Sequence, residues 1–280
     1  MSTIQKIIKA LAIALAVFII FSIVSFVSSI ICGIAGINWF FNWLDNEEIS
    51  NTNITSMEKN FDIEEIRNLD LSSSIENVEI LSGNEFKVIA ENVPESFKCE
   101  VEENTLIIDS NTSSRISINN NSSIKVYVPE GFIFNRVNLN LGVGETRIDF
   151  LKSDILELKS GAGSVDIKDI EANQKATIAC GVGEFDIKNS KISNLEFNSG
   201  VGRVSITSEL SGKCSIETGV GEVDVNLINF NELLGKINTE KGIGELRVNG
   251  RTYSGNQEFG LGNDTIISVK GGIGEINIEF

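Results

Sequence analysis

Apolar residues recur around a Gly-x-Gly signature seven times between residues 142 and 278. The copies are Gly142-Val143-Gly144, Gly161-Ala162-Gly163, Gly181-Val182-Gly183, Gly200-Val201-Gly202, Gly219-Val220-Gly221, Gly242-Ile243-Gly244 and Gly272-Ile273-Gly274. Their first glycines are spaced by 19, 20, 19, 19, 23 and 30 residues, and a period near 20 marks a stack of repeats. Five residues before each first glycine stand Val137, Leu156, Ala176, Leu195, Cys214, Ile237 and Ile267; three before stand Leu139, Leu158, Ile178, Phe197, Ile216, Thr239 and Val269. That alternation predicts a strand. After the glycines, pairs such as Val165 and Ile167 or Phe185 and Ile187 predict a second strand whose apolar set faces the same way.

The residue between the glycines is apolar in every copy and is expected to continue the inward set. The step from there to the next apolar position is odd, so the backbone must bend, and glycine permits the bend because it lacks Cβ. All fourteen glycines are therefore read as corner residues where stacked backbones approach closely. The fold expected is an all-β, single-chain β-solenoid of parallel stacked rungs, preceded by one transmembrane helix. Short strand-like runs (Val78 to Ile80, Phe86 to Ile89, Leu106 to Ile108, Ile124 to Val128) predict degenerate early rungs that cap the start, so the domain is placed at 66–280.

Two interruptions break the period. Gly260-Leu261-Gly262 has Asp264 where an apolar residue belongs, so 249–264 is expected to be an inserted loop. Tyr253 and Phe259 are its candidate contact residues, with covering of the solenoid's open end as the plainer role. The other interruption, Phe230-Asn231-Glu232-Leu233-Leu234, is expected to form a short helical turn.

The amino-terminal region has a different pattern. Residues 10–44 carry no charge, and a helix of that length would reach roughly 52 Å, longer than a hydrocarbon core of roughly 30 Å. A span over 10–31 followed by an interfacial segment with Trp39, Phe40, Phe41 and Trp43 accounts for the excess. Lys6 and Lys9 precede it, while Asp45, Glu47 and Glu48 follow. This asymmetry places residues 1–9 in the cytoplasm and the solenoid outside the cell membrane, joined by a polar linker at 45–65. A signal peptide cut near Ala35-Gly36 is the competing reading, and Ile31 before Cys32 disfavours a lipoprotein signal.

Charge narrows the partners. The chain holds 23 basic and 39 acidic residues, net −16, and setting aside the two amino-terminal lysines leaves −18. Nucleic acid is an unfavourable partner for such a surface, whereas cationic peptides or metal ions are favoured. Three residues past each first glycine the column reads Glu145, Ser164, Glu184, Arg203, Glu222, Glu245 and Glu275; five past, it reads Arg147, Asp166, Asp186, Ser205, Asp224, Arg247 and Asn277. Stacking in chain order puts Arg203 between Glu184 and Glu222, and Arg247 beside Asp224. A solvated, salt-laced face is the plain reading. The chemical alternative is a divalent-cation site at Glu184, Asp186, Glu222 and Asp224, since hard cations need several oxygens at once.

Catalytic chemistry has little support. There is no histidine, which removes Ser/His and Cys/His pairs. Paired carboxylates could hydrolyse a glycosidic bond, but here they recur as scaffold positions do. The Gly-x-Gly copies lack the following helix of a phosphate or dinucleotide loop, so no cofactor is expected. Cys99, Cys180 and Cys214 are read as buried core thiols; Cys180 and Cys214 sit two rungs apart, at least about 9.6 Å, beyond disulfide reach.

The repeated Gly-Val-Gly-Glu-x-Asp-Ile pattern, the Val-Tyr-Val-Pro-Glu-Gly run at 126–131 and the closing Gly-Gly-Ile-Gly-Glu-Ile-Asn-Ile at 271–278 carry a family resemblance. Over 69–280 the chain resembles the bacterial "putative adhesin" domain of unknown function and the toast-rack domains of LiaF/LiaG-like envelope proteins. The resemblance implies a membrane-tethered β-solenoid of a bacterial surface, with some relatives tied to envelope stress, and it brings no catalytic motif. Together these readings predict a non-enzymatic interaction or envelope-stress module that engages other envelope proteins or cationic peptides. A calcium-dependent adhesin and a carbohydrate-active enzyme are the alternatives.

Overall fold

Period-two alternation does produce strands, and they are longer than the sequence suggests because Gly-x-Gly bends a strand without ending it. The computed structural model describes residues 54–110 and 122–280. In chain order the early strands are β1 (Ile54–Phe61), β2 (Asn68–Ser73), β3 (Asn77–Gly83), β4 (Phe86–Pro94), β5 (Lys98–Glu102), β6 (Thr105–Asp109) and β7 (Ser123–Pro129). The repeats follow as β8 (Phe134–Ile148), β9 (Leu151–Lys168), β10 (Ile170–Ser193), β11 (Leu195–Ser211), β12 (Lys213–Leu227) and β13 (Gly235–Val248). Two short strands, β14 (Arg251–Tyr253) and β15 (Gln257–Phe259), precede the last, β16 (Thr265–Glu279). The span and aromatic segment expected over 10–44 lie outside the described residues, and among the described residues no helix is long and apolar enough to cross a membrane.

Neighbouring repeat strands pair in parallel with like positions aligned. Gly144 stands against Gly163, Gly163 against Gly183, Gly183 against Gly202 and Gly202 against Gly221. The inward columns close into one core in which Phe86, Phe134 and Phe197 are fully buried, and the Phe185 and Phe197 rings meet edge-on at 5.0 Å. A shorter third side joins successive rungs: residues 170–172 pair with 151–153, and 190–193 with 208–211. Asp169, Asn189 and Asn194, each at φ 50°, turn the chain there. Asn and Asp tolerate this left-handed region better than other side chains do.

The two glycine columns serve different needs. A Cβ on Gly202 would lie 1.8 Å from the Gly183 carbonyl oxygen, at a φ of +146° that side chains rarely adopt. Gly200 has no such φ, yet its Cβ would lie 2.6 Å from the Gly181 oxygen. Close stacking of carbonyls at the corner is thus the reason for the first glycine, and stacking plus conformation for the second.

Stack order departs from chain order at the carboxyl end. β12 pairs with β16, and β16 pairs with β13, so the last strand is inserted between two earlier ones. Asp224 therefore stands beside Asn277, and the expected Arg247–Asp224 neighbourhood does not exist. The stretched interval explains the swap: after β13 the chain turns back as β14 and β15, both antiparallel on its far edge, before β16 returns inside them.

The amino end is also built differently from the simple expectation. β2 and β3 together make one rung against β8, and β6 and β7 make a second outside it. Phe86 to Ile89, expected as a rung, belongs to β4, which runs antiparallel on β7 and carries β1 on its other edge. Residues 54–61, inside the expected linker, form that edge strand. In the β2–β3 rung Ser74-Ile75-Glu76 replaces Gly-x-Gly. Glu76 is buried, and its Oε2 accepts from the Ser74 N–H (2.9 Å), the Ile75 N–H (3.0 Å) and the Ser110 hydroxyl (2.8 Å), so a carboxylate closes the corner.

Candidate functional site

The residue between the glycines does not join the core. Val143, Ile273 and Ile243 are 49%, 47% and 73% exposed, and Ala162, Val182, Val201 and Val220 are half-buried. The expectation of an inward position fails because the residue before the first glycine already holds the last inward place, and the second glycine's mirror-side φ turns the apex outward. Ile75, at the glycine-free corner, is 46% exposed in the same column. Eight apolar side chains thus form a ridge along successive corners, about 34 Å long at about 4.8 Å per rung. Two positions beyond the ridge runs the column Glu145, Ser164, Glu184, Arg203, Glu222, Glu275 and Glu245, in stack order. An apolar crest with an acidic flank is the arrangement that results.

The four carboxylates considered for a cation do not converge. Arg203 stands between Glu184 and Glu222 in register, its Nη2 3.1 Å from Asp224 Oδ2 and its Nε 3.7 Å from Glu222 Oε2. The Asp224 hydrogen bond, then the Glu222 charge, hold the Arg203 guanidinium above its ordinary range. Asp224 Oδ1 also accepts from Asn277 Nδ2 at 3.4 Å, and Asp186 pairs with Lys188. Arg247 contacts Glu245 and Glu275, each at 3.0 Å, and its hydrogen bond is the first cause that lowers Glu245. Among the described residues no group of three or more His, Cys, Asp or Glu side chains is placed to hold a metal. The face is a ladder of exposed ion pairs, each worth little by itself.

This corner-glycine stack matches the family model Toastrack DUF4097 over residues 66–259, well over half of the chain. The chain belongs to the toastrack family. Solved structures similar to this toastrack domain include a "putative cell adhesion protein" from Clostridium sporogenes, 20% identical over 81% of this chain and 99% of that one, with a TM-score of 0.38. Others are a "putative adhesin" from Bacteroides fragilis (15% identity, 81% and 98% covered, TM-score 0.37) and a "putative lipid binding protein" from Parabacteroides distasonis (17% identity, 81% and 97% covered, TM-score 0.43). No curated protein matches the chain.

Tyr253 and Phe259, the candidate contact pair, lie in the toastrack domain's carboxyl-terminal cap. Their rings meet at 5.5 Å, Phe259 meets Phe280 at 5.9 Å, and Phe280 meets Phe230 at 5.4 Å. All four are partly buried against the core. They pack on one another beside β13, the outermost repeat strand.

The three described cysteines of the toastrack domain are free thiols; Cys99 and Cys214 are buried as expected, and Cys180 is half-buried. Burial pushes Cys180 up to about 12 and Cys99 up to about 11, and burial also raises Cys214. All three stay protonated at pH 8, where a thiolate would be the nucleophile. Iodoacetamide applied to native protein at pH 8 is expected to leave them unmodified by mass spectrometry, and to modify all three in urea. A thiol whose folded value is raised has no effect on stability below the ordinary value near 9, and stability is lost as pH rises from there toward the folded values.

Neither the ridge's direction nor the Glu76 corner is evident from repeat spacing. A signal for the second exists in Ser74-Ile75-Glu76, where an apolar residue stands between two small or polar ones just ahead of the Val78-Glu79-Ile80 alternation.

Proposed function

We propose that this chain is a membrane-anchored bacterial surface protein whose toastrack domain is a non-enzymatic interaction module serving the cell-envelope stress response. The observation that carries the reading is the apolar ridge, exposed at Ile75, Val143, Ile273 and Ile243 and half-buried at the four corners between. A repeat selected for stacking alone has no need of Val or Ile at an outward apex, yet the position is apolar on eight corners. Exposed apolar surface of this extent, rimmed by charge, marks interaction sites.

The glutamate column beside the ridge favours a partner that combines apolar and basic side chains, such as a cationic peptide or a basic segment of another envelope protein. The uncharged run at 10–44, with lysines before it and acids after it, supports a tether that holds the module outside the membrane. The test is genetic complementation. A deletion strain is expected to change its tolerance to cationic antimicrobial peptides, and wild-type protein to restore it. Protein carrying Val182→Ser, Val201→Ser and Val220→Ser is expected to fail as the deletion does, at normal abundance. Restored tolerance with those three changes would remove the ridge from the mechanism.

A further inference from the structure

Both interruptions of the repeat come together in one place. Leu261 N–H donates to the Glu232 carbonyl (2.7 Å), Gly262 N–H to Gly235 (3.2 Å) and Asp264 N–H to Leu234 (2.9 Å). The segment 231–235 is itself wound tight, since Gly235 N–H donates to the Asn231 carbonyl at 2.8 Å and Leu233 N–H to the Asn231 side chain at 2.9 Å. This contact also explains Gly260-Leu261-Gly262, the copy of the signature that makes no rung. A Cβ on Gly260 would lie 2.2 Å from the Gly235 carbonyl oxygen, and one on Gly262 would lie 1.9 Å from the Leu234 carbonyl carbon. The glycines let two backbones interlock.

The interlock has a consequence for the side chains it carries. Leu261 is 81% exposed, Leu233 72% and Leu234 54%, on a hydrogen-bonded double loop at the capped end of the stack. These three leucines lie at a different edge from the ridge. Segments 230–235 and 260–264 contain no lysine or arginine, and they carry Glu232 and Asp264.

We propose that this leucine knuckle is a lipid-docking tip, which inserts its three side chains into the surface of a zwitterionic bilayer. Area decides between a bilayer and a second copy. Three exposed leucines fall well short of a stable protein interface, which takes roughly 20–30 residues and roughly 800 Å² per partner. A bilayer needs no complementary shape, and a convex apolar tip can enter the headgroup boundary to a depth of about 5–10 Å. Charge selects the lipid: Glu232 and Asp264 flank the leucines, and the nearest cation along the chain, Lys236, is paired with Glu258 at 2.9 Å, so anionic headgroups repel the tip.

The test uses the full chain with Cys32→Ser and Asn263→Cys, labelled at position 263 with bimane. Cys99, Cys180 and Cys214 are buried or nearly so and stay unlabelled. Reconstituted in phosphatidylcholine vesicles whose acyl chains are brominated near the headgroup, the label is expected to lose more than about half its emission relative to unbrominated vesicles, as insertion to that depth requires. Added phosphatidylglycerol should weaken the loss. Leu233→Ser, Leu234→Ser and Leu261→Ser together should abolish it without moving the thermal midpoint, because exposed positions contribute little to stability. No bromine-dependent loss, or a loss that survives the three substitutions, overturns the proposal. So does a lipid-independent dimer of the unlabelled Asn263→Cys protein, crosslinked through position 263. The three ridge substitutions leave the quenching unchanged, so this inference and the ridge reading fail independently.

Discussion

Gly202→Ala is expected to cost about 3–5 kcal/mol, a large share of the roughly 5–15 kcal/mol that holds a typical domain. Two costs combine. The new Cβ falls 1.8 Å from the Gly183 carbonyl oxygen, an atom fixed by its own ladder, and it must be carried at φ +146°. Neither can be relieved by a rotamer change, so two rungs must separate at the corner. Gly250→Ala provides the comparison. That glycine also has positive φ, +73°, but nothing lies within 4 Å of its Cβ, and the expected loss is about 1–2 kcal/mol. Urea unfolding of both variants reads the difference. Equal losses would mean that backbone conformation, and not close stacking, is what the glycine columns supply.

The second large effect tests which way the corner faces. Phe197→Ala is expected to cost about 3–5 kcal/mol, since Phe197 is fully buried against Phe185 in mid-stack, and its neighbours are held by rungs on both sides. Val201→Ser is only four residues further on. Simple alternation counts it as inward, which predicts a loss of several kcal/mol, whereas its half-exposed place at the apex predicts less than about 1 kcal/mol. A midpoint shift for Val201→Ser comparable to that of Phe197→Ala would restore the inward reading and dissolve the ridge.

These contrasts show what a repeat reveals in sequence and what it conceals. Columns such as Leu139, Leu158, Ile178, Phe197 and Ile216 announce the stack because every rung meets the same environment, and the glycine pairs announce a corner because a Cβ there would strike the carbonyl of the rung before it. The direction of the apex is concealed because hydrophobicity reports a preference for apolar contact without saying whether that contact is the core. Stack order is concealed for a related reason. Gly242-Ile243-Gly244 and Gly272-Ile273-Gly274 present the same columns, so spacing cannot tell which one faces Gly219-Val220-Gly221. β1 is concealed because Ile54 to Phe61 has little inward surface; backbone pairing with β4, helped by half-buried Met57 and Phe61, holds it. The cation candidates were legible as residues but not as a site, since Arg203 stands between the two carboxylate pairs.

The swapped place of β16 bears on how the chain reaches its native state. β13 precedes β16 in the chain and carries the same glycine columns, although Thr239 and Lys241 stand where β16 has Val269 and Gly271. A β12–β13 pair is therefore a competing minimum with native-like register, available before the last strand exists. Native order requires that edge to be kept open, or that pair to be opened, until residues 265–279 arrive to fill the gap. Sequence similarity among rungs, which makes the finished column regular, is during folding a source of frustration. The cap of β14 and β15 covers residues 237–239 and 246–248 of the far edge of β13, and it ties to β13 through Thr239 and Gln257. The last strand in the chain thus lies inside the stack rather than at its end, held on one edge by β12 and on the other by β13.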